Sequence, residues 1–134
     1  MFDFLQPAGW AKPIGYANGV AARGKMIFVA GQIGWNEQCQ FESDDLVDQI
    51  GQTLKNVDAV VRAGGAGPEH IVSMTWFLLD RKEYSARLKE IGAAYRGVMG
   101  RNFPAMTALQ VSGLIEDRAK VEIQVIAVIP DQTD

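Results

Sequence analysis

Two amphipathic helical stripes with a strand-like segment between them constrain this 134-residue chain more than any other feature. Leu46, Ile50, Leu54, Val57 and Val61 recur at steps of three and four residues, and so do Tyr84, Leu88, Ile91, Tyr95 and Met99. Ser43 and Asp44 offer capping oxygens before the first stripe, and Gly64-Gly65 offers a left-handed stop after it. Asp80-Arg81-Lys82-Glu83 has the spacing of a capping box before the second stripe, which Gly100 ends. Between the stripes, Ile71 to Leu79 alternates, with Val72, Met74, Trp76 and Leu78 on one side. Lys25 to Ala30, closed by Gly31, reads as a strand apolar on both faces. Ala105 to Ser112 and Lys120 to Ile129 read as two more, whereas Gln6 to Gly19, with two prolines and three glycines, is loop or irregular strand. The resulting order is β-β-α-β-α-β-β over a single domain, residues 1–134. Each helix has one apolar face, so both fit on one side of a mixed sheet. The other side then keeps apolar residues that a second subunit would cover, which makes an oligomer the expected state.

Composition excludes several functions. Thirteen Lys and Arg stand against sixteen Asp and Glu, a net charge of -3, and the basic residues are scattered. No nucleic-acid footprint is present. The sole cysteine, Cys39, rules out an intrachain disulfide framework and fits a reducing, cytoplasmic setting. His70 and Cys39, the sole histidine and cysteine, cannot build a structural zinc site, and a Ser-His-Asp or Cys-His nucleophile is not expected because His70 would have to serve as its base. No apolar run is long enough to cross a bilayer, and Met1-Phe2-Asp3-Phe4-Leu5 lacks the basic start of a signal peptide. No metal, cofactor, nucleic-acid or membrane partner is expected.

Five segments, in order, resemble the RidA (YjgF/YER057c) family. Gly15-Tyr16-Ala17-Asn18-Gly19-Val20 is similar to its early tyrosine loop, and Phe28-Val29-Ala30-Gly31-Gln32-Ile33 to its strand ending in Ser-Gly-Gln, with Ala30 replacing serine. Gln52-Thr53-Leu54-Lys55-Asn56 matches a Gln-x-x-x-Asn pattern. Phe103-Pro104-Ala105-Met106-Thr107 resembles the Pro-Ala-Arg-[Ser/Thr] segment, and Val121-Glu122-Ile123 the Val-Glu-Ile of the last strand. The resemblance implies a chorismate-mutase-like α+β protomer, a homotrimer, and small-molecule clefts between subunits. It also implies a cofactor-free deaminase that hydrolyses reactive enamines and imines to 2-oxo acids and ammonia.

In that family an arginine after Pro-Ala grips the substrate carboxylate through a two-pronged contact. Here the position is Met106. A thioether neither donates a hydrogen bond nor carries charge, and losing a charged hydrogen bond costs about 1.5–3 kcal/mol. The expectation is therefore a substrate other than the standard 2-imino acid, or a non-catalytic metabolite-binding protein of the same fold. By the same resemblance Glu122 is the catalytic candidate, a carboxylate that moves protons or positions water. Tyr16 either stacks on a ligand or closes the subunit contact. Gly31 and Gln32 offer main-chain groups to a ligand, or else Gly31 only serves the bend at the strand's exit. Arg101 is either a substitute anchor or a favourable charge at a helix end. Trp35 either lines a pocket or packs at the interface. His70 is expected to be an ordinary residue before a strand, and Cys39 is assigned no role. Ribonuclease activity, attached to the family by older naming, has no support in the charge or in the single histidine.

Overall fold

The computed structural model describes residues 1–132. It contains β1 (Asp3–Leu5), β2 (Gly19–Ala21), β3 (Gly24–Ile33), α1 (Leu46–Ala63), β4 (Ile71–Leu78), α2 (Arg81–Ala86), α3 (Leu88–Met99), β5 (Ala105–Gln110) and β6 (Val121–Pro130). A short 3-10 turn, Pro68–His70, leads into β4. The main sheet has the order β3-β6-β4-β5; its one parallel pair is β4 with β5, and the other pairs are antiparallel. This is the mixed α+β layout expected, with the main helices on one face. No helix among the described residues is long and apolar enough to cross a membrane.

The first stripe closes the core as its spacing requires. Leu46, Ile50, Leu54, Val57 and Val61 are all buried, against Val121, Ile123 and Val125 of β6 and Met74 and Trp76 of β4. Asp45, one residue later than the expected Ser43 and Asp44, is the cap and accepts from the Asp48 amide. Ser43 supports it by accepting from the Asp45 amide. At the other end the left-handed residue is Gly65, with φ of 86°.

The second stripe is not one helix. The chain breaks at Arg87, with φ of -121°, so α2 and α3 are separate segments and Leu88 is exposed. The Arg87 guanidinium binds Asp45 at 2.6 Å and Glu90 at 2.9 Å, tying the break to the start of α1. Its hydrogen bonds hold the Asp45 and Glu90 carboxyls below the usual carboxylate range. Asp80 caps α2 by accepting from the Lys82 and Glu83 amides.

Two strands also differ from expectation. Gly31 does not close β3, which runs on to Ile33 through a bulge between Val29 and Gln32. In β4 a register shift between Ile71 and Ser73 lets Ile71 join Met74, Trp76 and Leu78 among the buried residues, while Val72 is only half-buried. The N-terminal pair β1–β2 forms its own two-stranded sheet.

β3 was expected to be covered on both sides. In the chain itself only one side is covered: Val29 is buried, whereas Phe28 is 69% and Met26 54% exposed. On the face of the sheet away from the helices, Phe28 and Met26 are left bare.

Candidate functional site

A cavity of about 640 Å³ opens between the α2–α3 segment and β5, within the size range of small-molecule sites. Three pieces of the chain build it. From the N-terminal loop come Ile14, Gly15 and Tyr16, from the sheet Trp76, Met106 and Ala108, and from the helical segments Tyr84, Leu88, Ile91 and Tyr95 with Arg96 at the edge. The loop is held there by the Ala17 amide, which donates to the Pro104 carbonyl at 2.9 Å and forms a parallel bridge with Ala105. Loop and Pro-Ala-Met segment are thus locked side by side, which brings Tyr16 and Met106 to the same cavity despite 90 residues of separation in the chain.

Met106 is half-buried and packs against the hydrophobic core. It pairs in register with Met74, on the helix-covered side of the sheet. Around it the walls are aromatic. Tyr95 stacks on Phe103 with ring centroids 5.5 Å apart, and Trp76 meets Tyr84 edge-on at 6.3 Å. Burial raises the phenol pKa of both Tyr84 and Tyr95. Both stay protonated at neutral pH. The Tyr95 hydroxyl is already committed, donating to the Asn102 carbonyl.

Glu122, Gly31 and Gln32 lie elsewhere. Glu122 alternates with Val121 and Ile123, which are buried beneath the helices, so its side chain belongs to the bare face. There it crosses Gly31: a Cβ at that glycine would stand 2.2 Å from the Glu122 Oε2. No residue with a side chain fits beside that carboxylate without displacement. The bulge leaves Ala30 and Gly31 out of the β3–β6 pairing, so main-chain groups and a carboxylate meet at one spot. The Gln32 side chain turns back and donates to the Ala30 carbonyl at 3.0 Å.

The Gln52–Asn56 motif supports this spot from behind. Gln52 donates to Asn56, whose amide donates to the carbonyls of Ile33 and Trp35 at 3.0 and 2.8 Å. The motif pins the exit of β3 to α1. Trp35 packs on Phe41, ring centroids 5.8 Å apart, and lines no part of the cavity. Arg101 is exposed and also lies outside the cavity lining; the cation that lines it is Arg96. His70 accepts from the Gly67 amide through Nδ1, and Cys39 sits exposed in a turn with φ of 59°.

Apart from Trp35 and Arg101, which join neither, the expected site residues divide between two places on the sheet. Tyr16 and Met106 share the cavity, while Gly31 and Glu122 meet on the bare face; Gln32 pairs in register with the buried Ile123. Sequence reasoning did not single out Trp76, Tyr84, Tyr95 or Arg96 as lining residues, because their periodicity reads as core or solvated helix. One signal was available: Leu88, Gly92 and Arg96 follow at four-residue steps and so share a helix face. Among the described residues no cluster of three or more His, Cys, Asp or Glu could hold a metal ion.

Residues 11–129 match the protein family described as Endoribonuclease L-PSP. A RutC family protein of Pyrococcus horikoshii is 32% identical over 117 residues, covering 87% of this chain and 89% of its own. TdcF of Escherichia coli, named as a reactive intermediate deaminase, is 34% identical over 113 residues, covering 84% and 85%. Its crystal structure with bound serine superposes with a TM-score of 0.69 over 90% of this chain and 91% of that one. A Rid family protein of Yersinia pestis gives a TM-score of 0.81 at 25% identity, covering 96% and 98%.

Proposed function

The chain belongs to the Endoribonuclease L-PSP family, the RidA (YjgF/YER057c) group, and from that premise we propose that it is a RidA-like deaminase acting on a reactive enamine, imine or related small metabolite. The reaction adds water across a C=N bond. The water oxygen bonds to the carbon, the nitrogen gains protons, and the C–N bond then breaks to leave a carbonyl compound and ammonia. Glu122 would take a proton from the water and return one to the nitrogen. Gly31 main-chain groups would orient the substrate. The observation that carries this reading is the meeting of Tyr16 and Met106 in one aromatic cavity, together with the carboxylate seated over Gly31.

Neither half is a complete site. We propose that a second copy brings its Gly31–Glu122 face to the cavity of the first, as in a trimer whose clefts lie between subunits. The exposed Phe28 and Met26 support this, since they form an apolar surface beside Gly31 that one chain leaves to water. The single cysteine suits a reducing compartment, and we place the protein in the cytoplasm.

Met106 sets the substrate apart. A sulfur-tipped wall gives no charged grip at the position where the resemblance implies arginine, so the standard small 2-imino acids should be poor substrates. The same residue favours one other reading, a metabolite-binding protein without turnover. Kinetics with semicarbazide as the trap, using 2-aminoacrylate and longer 2-imino acids, test the proposal. Weak activity on 2-aminoacrylate that rises about tenfold or more in Met106→Arg is expected, in line with gaining a charged hydrogen bond. Full rates in the wild type would refute the role given to Met106. Ligand binding without turnover of any imine would establish the second reading.

A further inference from the structure

The cavity offers bulk to a ligand and little to a negative charge. At about 640 Å³ it has room for an aromatic ring with a short chain, whereas a two- or three-carbon imine fills only a small part of it. Tyr16, Tyr84, Tyr95 and Phe103 give it aromatic walls, against which a flat ring packs well. Leu88 and Met106 add aliphatic and thioether surface.

Three observations bear on charge. Burial pushes the Tyr84 phenol above its ordinary value, and no cation draws it back down, so negative charge is disfavoured along that wall. Among the described residues Arg96 is the only charged side chain of the lining. It is exposed, and its guanidinium folds back along its own helix, with Nη1 3.1 Å from where a Cβ at Gly92 would be. Met106 is half-buried against the core and can neither donate a hydrogen bond nor carry charge. A carboxylate lodged among these walls would give up water and gain no partner in return.

We propose that the cavity selects imines without a carboxylate, of the form RCH=NH with R an arylalkyl group, and that Met106 sets this choice. The ring packs among the tyrosines and Phe103, and Met106 stands where the resemblance implies a carboxylate grip. This deepens the deaminase reading and rests on it for the imine, but the preference for an uncharged ligand stands on the cavity alone. Water adds through oxygen to the imine carbon, the C–N bond breaks, and the products are the aldehyde and ammonia. The class of reaction that supplies such an imine is oxidation of a primary arylalkyl amine by an amine oxidase, whose electron acceptor takes the two electrons.

Calorimetric titration of the full chain with 4-phenyl-2-butanone, 2-oxo-4-phenylbutyrate and acetone tests the choice. The first two differ only by a methyl group in place of a carboxylate. The aromatic ketone should bind about tenfold more tightly than the acid, and acetone should bind weakest. Met106→Arg should remove that preference by strengthening the acid about tenfold. An acid that binds the wild type as tightly as the aromatic ketone overturns the proposal, and so does binding of neither. A tenfold loss of acid affinity in Arg96→Gln would place a carboxylate at the rim and overturn it as well. The wild-type pair decides alone if a variant does not fold. Semicarbazide trapping of the imine that an amine oxidase releases from 2-phenylethylamine reads turnover separately. Preference for the ketone without turnover of any imine would sink the deaminase reading and leave this selectivity standing. Turnover of 2-imino acids with the acid bound more tightly would do the reverse.

Discussion

The two faces of the sheet are built to different specifications. Beneath the helices, Leu54, Val57, Val61, Val121 and Ile123 have no accessible surface at all, and the one fully buried amide, Gln49, satisfies three backbone groups. On the opposite face, Phe28 and Met26 are mostly exposed and Glu122 lies beside an unpaired bulge. The first face is closed within one chain except at the cavity beside α2 and α3. The second holds residues whose chemistry has no partner in the same chain. Burial accounts for the first; the second is the surface that the proposed assembly would cover.

Substitutions can break this contrast in order of severity. Leu54→Ala should cost about 4 kcal/mol by chemical denaturation, because a fully buried side chain leaves a cavity. Gln49→Leu should cost about 3 kcal/mol: the Ser43 and Arg118 carbonyls and the Lys120 amide lose their partner. Asp45→Ala removes a helix cap and should cost about 1 kcal/mol. Its pH dependence has a definite sign. The folded carboxyl is depressed, chiefly by the hydrogen bond from Arg87, so its contribution is complete above the ordinary carboxylate range. That contribution disappears as pH falls through the folded value. Melting temperature followed downward from neutral pH should therefore drop less steeply for Asp45→Ala than for the wild type.

Phe28→Asp should have the smallest effect on the chain's own stability, since the side chain is already in water. It should nonetheless have the largest effect on assembly, reducing the mass in light scattering to that of a 14.7 kDa protomer. A variant that stays assembled would make the bare face irrelevant to the contact.

The helix-covered face was readable from the residues; the site was only half so. Every residue of the Leu46–Val61 stripe is buried, because a period of 3.6 with one apolar face leaves the helix no other way to lie. The break at Arg87 was not readable. Tyr84, Leu88 and Ile91 continue the period across it, and the distant carboxylate of Asp45 that holds Arg87 there is invisible to local pattern. Gly31 reads locally as a strand stop; that it lies inside β3, against the Glu122 side chain of the neighbouring strand, is not visible in the local pattern. The cavity shows the same limit. Tyr16 and Met106 were found through their sequence motifs, whereas Trp76 and Tyr95 have the pattern of core residues and differ from core only by facing an unfilled space.

Subunit complementation tests most directly whether the two half-sites belong together. Glu122→Gln and Tyr16→Ala, each inactive alone, would be unfolded, mixed in equal amounts and refolded, with subunit exchange verified by mass. If a cavity is completed by the Gly31–Glu122 face of another copy, about one site in four pairs an intact cavity with an intact carboxylate, and roughly a quarter of wild-type imine hydrolysis should return. No recovery in fully exchanged oligomers would mean that each chain carries its own whole site, contrary to the arrangement argued here.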